Sequence, residues 1–441
     1  MIYKNQNLVI TPIDERYFSC TNPLIKNWIK VITKAQYDFL NLINYSIDEK
    51  VLWETIWCDE NTTNQIVKIF VQNDILNTTW NFDHEIADNY NDYLNLWVHT
   101  TDKCNLRCTY CNIKTKLTLK DMWEDVMDEL CLSLLETVKI HHLKWIRLRL
   151  SWWEPTIVYK KWLDKLKKLD NDLKNLWCKL WVAFLSNGTL IKEDTIETIM
   201  NNKIWLSISM DWINEYNKNR VTVDWKNSFE IVKANIEKVL ENWITPNILT
   251  VVSNENMEWL PELTKYFISK NLPFRYSFVQ WEQLNKEKLI NAMEECFTIL
   301  ENAIDQGYEF TRYFNLCDLK FLNPWNRTCS SWVNWWAIYI DWWIYFCQTE
   351  FWDKNQELWN IKENKDILWL IKKWEQKTWI LSEDCNTCSY RKICTWGCPL
   401  ERVEWKDVHC EIYKVLIPQV YRLMWKERLL EVLKNTNDSK D

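Results

Sequence analysis

LNLWVHTTDKCNLRCTYC, residues 94–111, is the stretch on which the fold turns. Leu94 to Val98 is a short apolar run of strand length, and Cys104, Cys108 and Cys111 follow it as a C-x3-C-x2-C loop. Three thiolates on one short loop can hold three irons of a [4Fe–4S] cluster and leave the fourth open to a ligand. An open metal position is what a catalytic site needs. A zinc loop can carry the same spacing, so the loop alone leaves both metals standing.

Five further apolar runs follow at strand length: Ile146–Leu150, Val182–Leu185, Ile204–Met210, Ile248–Val252 and Phe274–Val279. Longer amphipathic stretches separate them. Six strands alternating with helices predict repeated βα units on a parallel sheet, over residues 93–305. The cysteine loop then sits at the C-terminal end of the first strand, where barrel enzymes keep their chemistry. Residues 1–92 show short helical patterns, Thr33 to Leu40 and Asn64 to Ile75, before a polar stretch from Asn77 to Asp92. Residues 310–435 are rich in cysteine and turns and close in a helical tail from Ile412 to Leu433.

Composition adds an anomaly. The chain holds 32 Trp and 3 Gly in 441 residues, where ordinary usage of about 7% would supply roughly 30 glycines. Trp follows Asn or Asp in Asn27-Trp28, Asp211-Trp212, Asp224-Trp225, Asn242-Trp243, Asn334-Trp335 and Asp341-Trp342, where Asn-Gly and Asp-Gly mark turns. Paired Trp stands at 152–153, 335–336 and 342–343. We read most of these residues as glycine in the working protein, with UGA codons read as Trp as the natural source; a genuinely Trp-rich protein, such as one with an aromatic sugar-binding surface, is the alternative, and the codons at these positions decide between them. Several Trp should then occupy turns at φ > 0 or project unpacked into solvent, a conformation glycine adopts freely and a bulky residue does not.

The bulk numbers exclude several classes. Net charge of −7 argues against a general nucleic-acid binder. No apolar run approaches the roughly 20 residues of a membrane span, and MIYKNQNLVITPIDERYF at the N-terminus lacks a signal-peptide core. A cytoplasmic protein is expected. Its 16 cysteines then read as metal ligands before disulfides.

The ends of the later strands carry matching features: Ser151-Trp152-Trp153-Glu154-Pro155, Ser186-Asn187-Gly188-Thr189 and Ser209-Met210-Asp211. With the cysteine loop, this order resembles a radical S-adenosylmethionine enzyme, whose second motif, Gly-Gly-Glu-Pro, is complete once Trp152 and Trp153 are glycines. The resemblance implies that Cys104, Cys108 and Cys111 bind the catalytic [4Fe–4S] cluster. It implies that Trp152, Trp153, Glu154 and Pro155 form the turn for the methionyl amino group, and that Ser209 and Asp211 contact the ribose. Arg220 is assigned to the carboxylate. Ser209 as a turn cap and Arg220 as a solvated charge are the plain alternatives.

Further on, Cys385, Cys388, Cys394 and Cys398 form C-x2-C-x5-C-x3-C, preceded by Cys329 and Cys347 and followed by Cys410. This is similar to the seven-cysteine SPASM domain, with Trp342 where that family has glycine. The resemblance implies two auxiliary [4Fe–4S] clusters: one on Cys329, Cys347, Cys398 and, upstream, Cys317, the other on Cys385, Cys388, Cys394 and Cys410. A pair of zinc sites is the alternative for the same thiols. The remaining cysteines, 20, 58, 131, 178 and 296, are read as ordinary buried thiols.

The expected protein is thus α/β: a partial (β/α)6 TIM-like barrel, an N-terminal winged-helix-like module and a C-terminal SPASM domain. By resemblance, one electron cleaves S-adenosylmethionine and the 5′-deoxyadenosyl radical abstracts hydrogen from a peptide or protein, with thioether or carbon–carbon cross-links among the expected products and flavodoxin or ferredoxin as electron donor. Residues 1–92 are similar to the recognition element of ribosomal-peptide maturases, which takes a leader peptide as an added strand. Anaerobic sulfatase maturases resemble the chain too, but they place a catalytic Asp after the cysteine matching Cys347, where this chain has Gln348. A sulfatase-maturase-like or small-metabolite SPASM enzyme is the second expectation. An Fe–S electron carrier or zinc-dependent winged-helix regulator leaves the strand-end motifs unexplained. No residue stands out as the catalytic base.

Overall fold

The computed structural model describes the chain except residues 23–28, 45, 57–59, 79–91, 112–118, 152–153, 214–218, 281, 323–328, 332, 352, 370–382, 396, 399, 401, 405 and 439–441. Trp152, Trp153, Trp396 and Cys58 therefore lie outside the described residues.

The N-terminal part contains β1 (Ile2–Lys4), β2 (Val9–Pro12), β3 (Tyr17–Thr21), β4 (Ile29–Thr33), α1 (Lys34–Asn41), β5 (Ser46–Ile47), α2 (Glu49–Ile56), α3 (Glu60–Gln72) and β6 (Leu76–Asn77). Strands β2, β3 and β4 form an antiparallel sheet. Thr33 ends β4 and starts α1 through a capping box with Gln36, each side chain bonding the other's backbone. One face of the sheet (Phe18, Cys20, Ile32) closes a small core with Phe39, Leu40, Val67 and Phe70. The strands before Thr33 were not anticipated from helical periodicity, because they are only three to five residues long.

The barrel alternates β7 (Tyr93–His99), α4 (Glu124–His141), β8 (Trp145–Ser151), α5 (Leu163–Asn175), β9 (Lys179–Ser186), α6 (Glu193–Asn201), β10 (Trp205–Ser209), α7 (Phe229–Glu241), β11 (Asn247–Val252), α8 (Leu260–Ser269), β12 (Phe274–Phe278) and α9 (Lys286–Asp305). All six expected strands form, and they pair in parallel in sequence order from β7 to β12. Alternation sets the two faces: Ile146, Leu148 and Leu150 of β8 pack under the helices, as do Phe274 and Tyr276 of β12. Arg147, Arg149, Arg275 and Ser277 consequently face the barrel interior.

After α10 (Phe310–Tyr313), β13 (Phe314–Leu316) adds a further parallel strand beside β12, and β14 (Trp335–Ile338) pairs in parallel with β7 at the opposite edge. Strands β15 (Trp343–Tyr345) and β16 (Trp359–Asn360) continue that edge antiparallel. The short helices α11 (Glu383–Thr387) and α12 (Arg391–Cys394) lead to α13 (Cys410–Asp438). This last helix packs on α9 and on β2–β4, where Trp425 Nε1 donates to Thr21 Oγ1 at 3.4 Å. Among the described residues no helix is long and apolar enough to cross a membrane.

Three tryptophans show what the glycine reading expects. Trp177, Trp225 and Trp243 have φ of 59°, 61° and 61°, and they are 92%, 76% and 94% exposed. Trp177 and Trp243 terminate α5 and α7 in the same hydrogen-bond pattern: their own N–H bonds Lys174 and Leu240, and the next N–H bonds Leu173 and Val239. That is the Schellman cap, whose left-handed position glycine normally fills. Gly307 fills it after α9, with φ 92° and the same paired bonds. Trp212 and Trp342 also bury indole N–H groups that find no acceptor among the described residues.

Candidate active site

The cysteine loop leaves the C-terminal end of β7 and is held on two sides by backbone bonds. Arg107 N–H bonds Val221 O at 2.7 Å, Thr109 N–H bonds Asn219 O at 2.9 Å, and Val223 N–H bonds Asn105 O at 3.1 Å. The stretch after β10 thus runs alongside the loop. On the other side Asn187, at the end of β9, donates to Asn105 Oδ1 at 2.8 Å and to Cys104 Sγ at 3.7 Å. Burial, together with nearby Glu154 and Cys108, pushes the Cys104 thiol up to about 12. A metal must displace that proton to bind.

Glu154 knits the strand ends together. Its N–H bonds Lys103 O at 3.1 Å, tying the β8 end to the cysteine loop. Its fully buried carboxylate accepts from Thr156 N (3.1 Å), Thr156 Oγ1 (2.5 Å), Ser186 Oγ (2.7 Å) and Asn187 N (2.6 Å). Burial pushes this carboxyl above its ordinary range, against those donors. Pro155 opens a short 3-10 turn. The Glu154 side chain is therefore spent inside the protein, and its own contribution is to fix three loops. Gly188 follows the same hub at φ +78°, and a Cβ there would stand 2.6 Å from Ile208 Cγ2, so only glycine fits.

Ser209 lies half-buried on the interior side of β10, and its hydroxyl has no hydrogen-bond partner among the described residues. Asp211 and Arg220 instead meet each other. Tyr110, inside the cysteine loop, donates to Asp211 Oδ2, Arg220 Nη1 donates to Tyr110 Oη at 2.9 Å, and Val251 N–H donates to Asp211 Oδ1 at 2.8 Å. Arg220 and Asp211 form an ion pair at 3.7 Å with both side chains buried. Burial works against the charge on Arg220, but Tyr110, Cys108 and Asp211 outweigh it and hold the guanidinium protonated. In Asp211, burial raises the carboxyl and Arg220 opposes it. Tyr110 was given no role from sequence, and Asn187 was noted only as part of a strand-end motif, since their partners lie about 80–110 residues away in the chain.

In the C-terminal part, Cys385, Cys388, Cys394 and Cys410 line one cavity with Tyr390, Arg391, Tyr413, Lys414 and Ile417. Short helices α11 and α12 carry Cys385 and Cys394, Cys388 directly follows α11, and the first residue of α13 supplies the fourth. Cys329 and Cys347 lie near enough for each thiolate to disfavour the other, and burial pushes Cys347 up to about 12. Ser331 Oγ donates to Phe346 O at 3.1 Å and clamps the two segments. Cys317 sits at φ 47° beside Arg275 and Tyr413. Cys398 lies by Arg402 and Asp407, with Cys385 and Cys394 facing the same Arg402. Among the described residues no three His, Cys, Asp or Glu side chains close on a single ion. The thiols of the first set surround a cavity, which suits a polynuclear cluster.

Comparison with known proteins bears on this arrangement. Residues 98–267 match the radical SAM superfamily. A cysteine-type anaerobic sulfatase-maturating enzyme of Clostridium perfringens (strain ATCC 13124) is 25% identical over 379 residues, which span 75% of this chain and 96% of that protein. Native anSMEcpe with bound AdoMet and Kp18Cys peptide superposes with a TM-score of 0.61 at 21% identity, covering 78% of this chain and 99% of its own. Streptococcus suis SuiB bound to precursor peptide SuiA superposes at 0.50 with 14% identity, covering 90% and 95%. At these identities the two structures share the fold with this chain.

Proposed function

Since the chain is a radical S-adenosylmethionine enzyme related to sulfatase-maturating enzymes, we propose that it modifies a peptide or protein substrate. The observation that carries this reading is the convergence of three strand-end loops on the cysteine loop, through Glu154, Asn187 and the Tyr110–Asp211–Arg220 group. Cys104, Cys108 and Cys111 would hold the catalytic cluster, with S-adenosylmethionine against the turn at 152–155 and Ser209 toward its ribose. When bound, these cofactors supply hydrogen-atom abstraction from an unactivated carbon. Glu154 and Asn187 hold the loop, and the buried ion pair of Asp211 and Arg220 keeps Tyr110 against it. Cys385, Cys388, Cys394 and Cys410 would hold one auxiliary cluster, and Cys317, Cys329, Cys347 and Cys398 the other.

Among the described residues β2 and β4 pair with no further strand, as strand addition of a leader peptide requires, and flavodoxin or ferredoxin would supply electrons. A sulfatase-maturase-like activity is the second reading, favoured by the similarity to the Clostridium perfringens enzyme over 75% of the chain. Gln348 weighs against it, because an amide cannot act as a carboxylate base. Anaerobic reconstitution tests the common core: iron–sulfur absorbance and 5′-deoxyadenosine formed after reduction with S-adenosylmethionine are expected, and the lack of either removes the reading. Incubation with a sulfatase-derived cysteine peptide, and with any short cysteine-containing peptide encoded beside the gene, separates the two substrates by product mass.

A further inference from the structure

We propose that the inner wall of the barrel carries an anion site, built on Arg149 with Arg147 and Arg275 around it, that takes a carboxylate of the substrate. The site rests on the peptide-maturase reading and names what that substrate must present. Arg147 and Arg149 stand two residues apart on β8, both on the interior face, and Arg275 stands on the interior face of β12. Arg275 spends its guanidinium on Asp318 at 2.8 Å and on Ser277 Oγ at 3.0 Å. Arg147 and Arg149 make no hydrogen bond or ion pair among the described residues. Arg147 lies over the Trp145 and Trp181 rings at 5.6 and 5.2 Å, and Arg149 over Trp335 and Trp97 at 4.4 and 5.8 Å.

The charge balance is one-sided. Asp318 is the acid facing Arg149, and it is shared with Arg275 and Lys320. Burial, with Arg147 and Arg275 adding to it, pulls Arg149 down to about 10, which leaves it cationic at neutral pH. A partly buried guanidinium that shares its one acid with two other cations is under-compensated, and a bidentate carboxylate is the ligand its fork matches best. The glycine reading sharpens the point: with glycine at 335, Arg149 loses its nearest ring and faces the interior uncovered.

Isothermal titration of the anaerobically reconstituted enzyme, with saturating S-adenosylmethionine, tests the site. The probes are acetyl-Ala-Glu-Ala-amide, its neutral counterpart acetyl-Ala-Gln-Ala-amide, and acetyl-Ala-Gln-Ala with a free carboxyl terminus. At least one carboxylate peptide should bind tenfold or more tighter than the neutral one, and which of them does so tells a side-chain from a terminal carboxylate. Arg149→Met should abolish the preference and Arg149→Lys retain part of it; iron content and circular dichroism check folding, and Arg147→Gln serves if the Met variant does not fold. Equal binding of all three peptides, or an undiminished preference in the variants, overturns the proposal. So does an undiminished preference accompanied by shifted cluster potentials, which would assign the arginines to the clusters. Wild-type 5′-deoxyadenosine formation with reductant alone is read in parallel, so failure of the anion site and failure of the enzyme reading give different results.

Discussion

Replacing Trp177, Trp225 and Trp243 together by glycine should stabilise the barrel. Each residue holds a left-handed φ near 60°, which costs a side-chain-bearing residue about 1–2 kcal/mol. Glycine removes that cost but loses about 0.5–1 kcal/mol through the greater freedom of the unfolded chain. Little packing is sacrificed, since the three side chains are 92%, 76% and 94% exposed. The net gain is about 0.5–1 kcal/mol per site, and the sites lie on separate turns, so the gains should add to about 1.5–3 kcal/mol. For a domain of this size that corresponds to a Tm rise of about 3–12 °C. Scanning calorimetry of the triple variant beside the all-tryptophan chain measures it. Trp162→Gly is the internal contrast: that ring is fully buried, and its loss should cost at least about 3–5 kcal/mol. A triple variant with unchanged or lowered Tm would refute the argument from turn geometry.

Glu154→Gln puts an amide where two oxygens meet four donors, so it should cost about 1.5–3 kcal/mol and speed hydrogen exchange at Asn187; unchanged exchange would count against the hub. Cys385→Ser and Cys410→Ser act on thiols of one cavity, so each should lower the iron content by the same single-cluster amount and the pair should lower it no further. Cys20 and Cys296 are each pushed by burial from 9.0 to about 12. They should resist thiol reagents at pH 8 in the native protein and react on unfolding. Because the folded value is raised, their contribution to stability is whole below pH 9 and declines as pH climbs toward 12. A Tm that rises over that range would contradict the sign.

Much of the layout of the candidate site was legible because its signals are local. Six strands announced themselves as apolar runs, and Cys104, Cys108 and Cys111 as candidate ligands by spacing within one loop. Glu154, Ser209, Asp211 and Arg220 were named as candidates through the family resemblance, but the partners that the structure gives them were not. Tyr110 reaches Asp211 across about 100 residues, and Asn187 reaches Cys104 across about 80. Nothing in a single sequence marks such a pairing when the residue types are common. Strands β13 and β14 escaped for a related reason: each is three or four residues long and owes its pairing to β12 and β7.

The tryptophan excess was also visible in composition alone, yet only dihedral angles separate its members. Trp177, Trp225 and Trp243 occupy left-handed turns in solvent, whereas Trp162, Trp336 and Trp425 are fully buried. Sequence by itself determined the order of strands and cysteines, since periodicity and spacing are properties of neighbouring residues. Tertiary structure decided which charges meet. It paired Asp211 with Arg220 and Arg275 with Asp318, and it turned Arg147 and Arg149 inward with no ion pair of their own among the described residues. Only the closure of the barrel brings side chains from distant strands into one low-dielectric space, where an unpaired charge carries a cost.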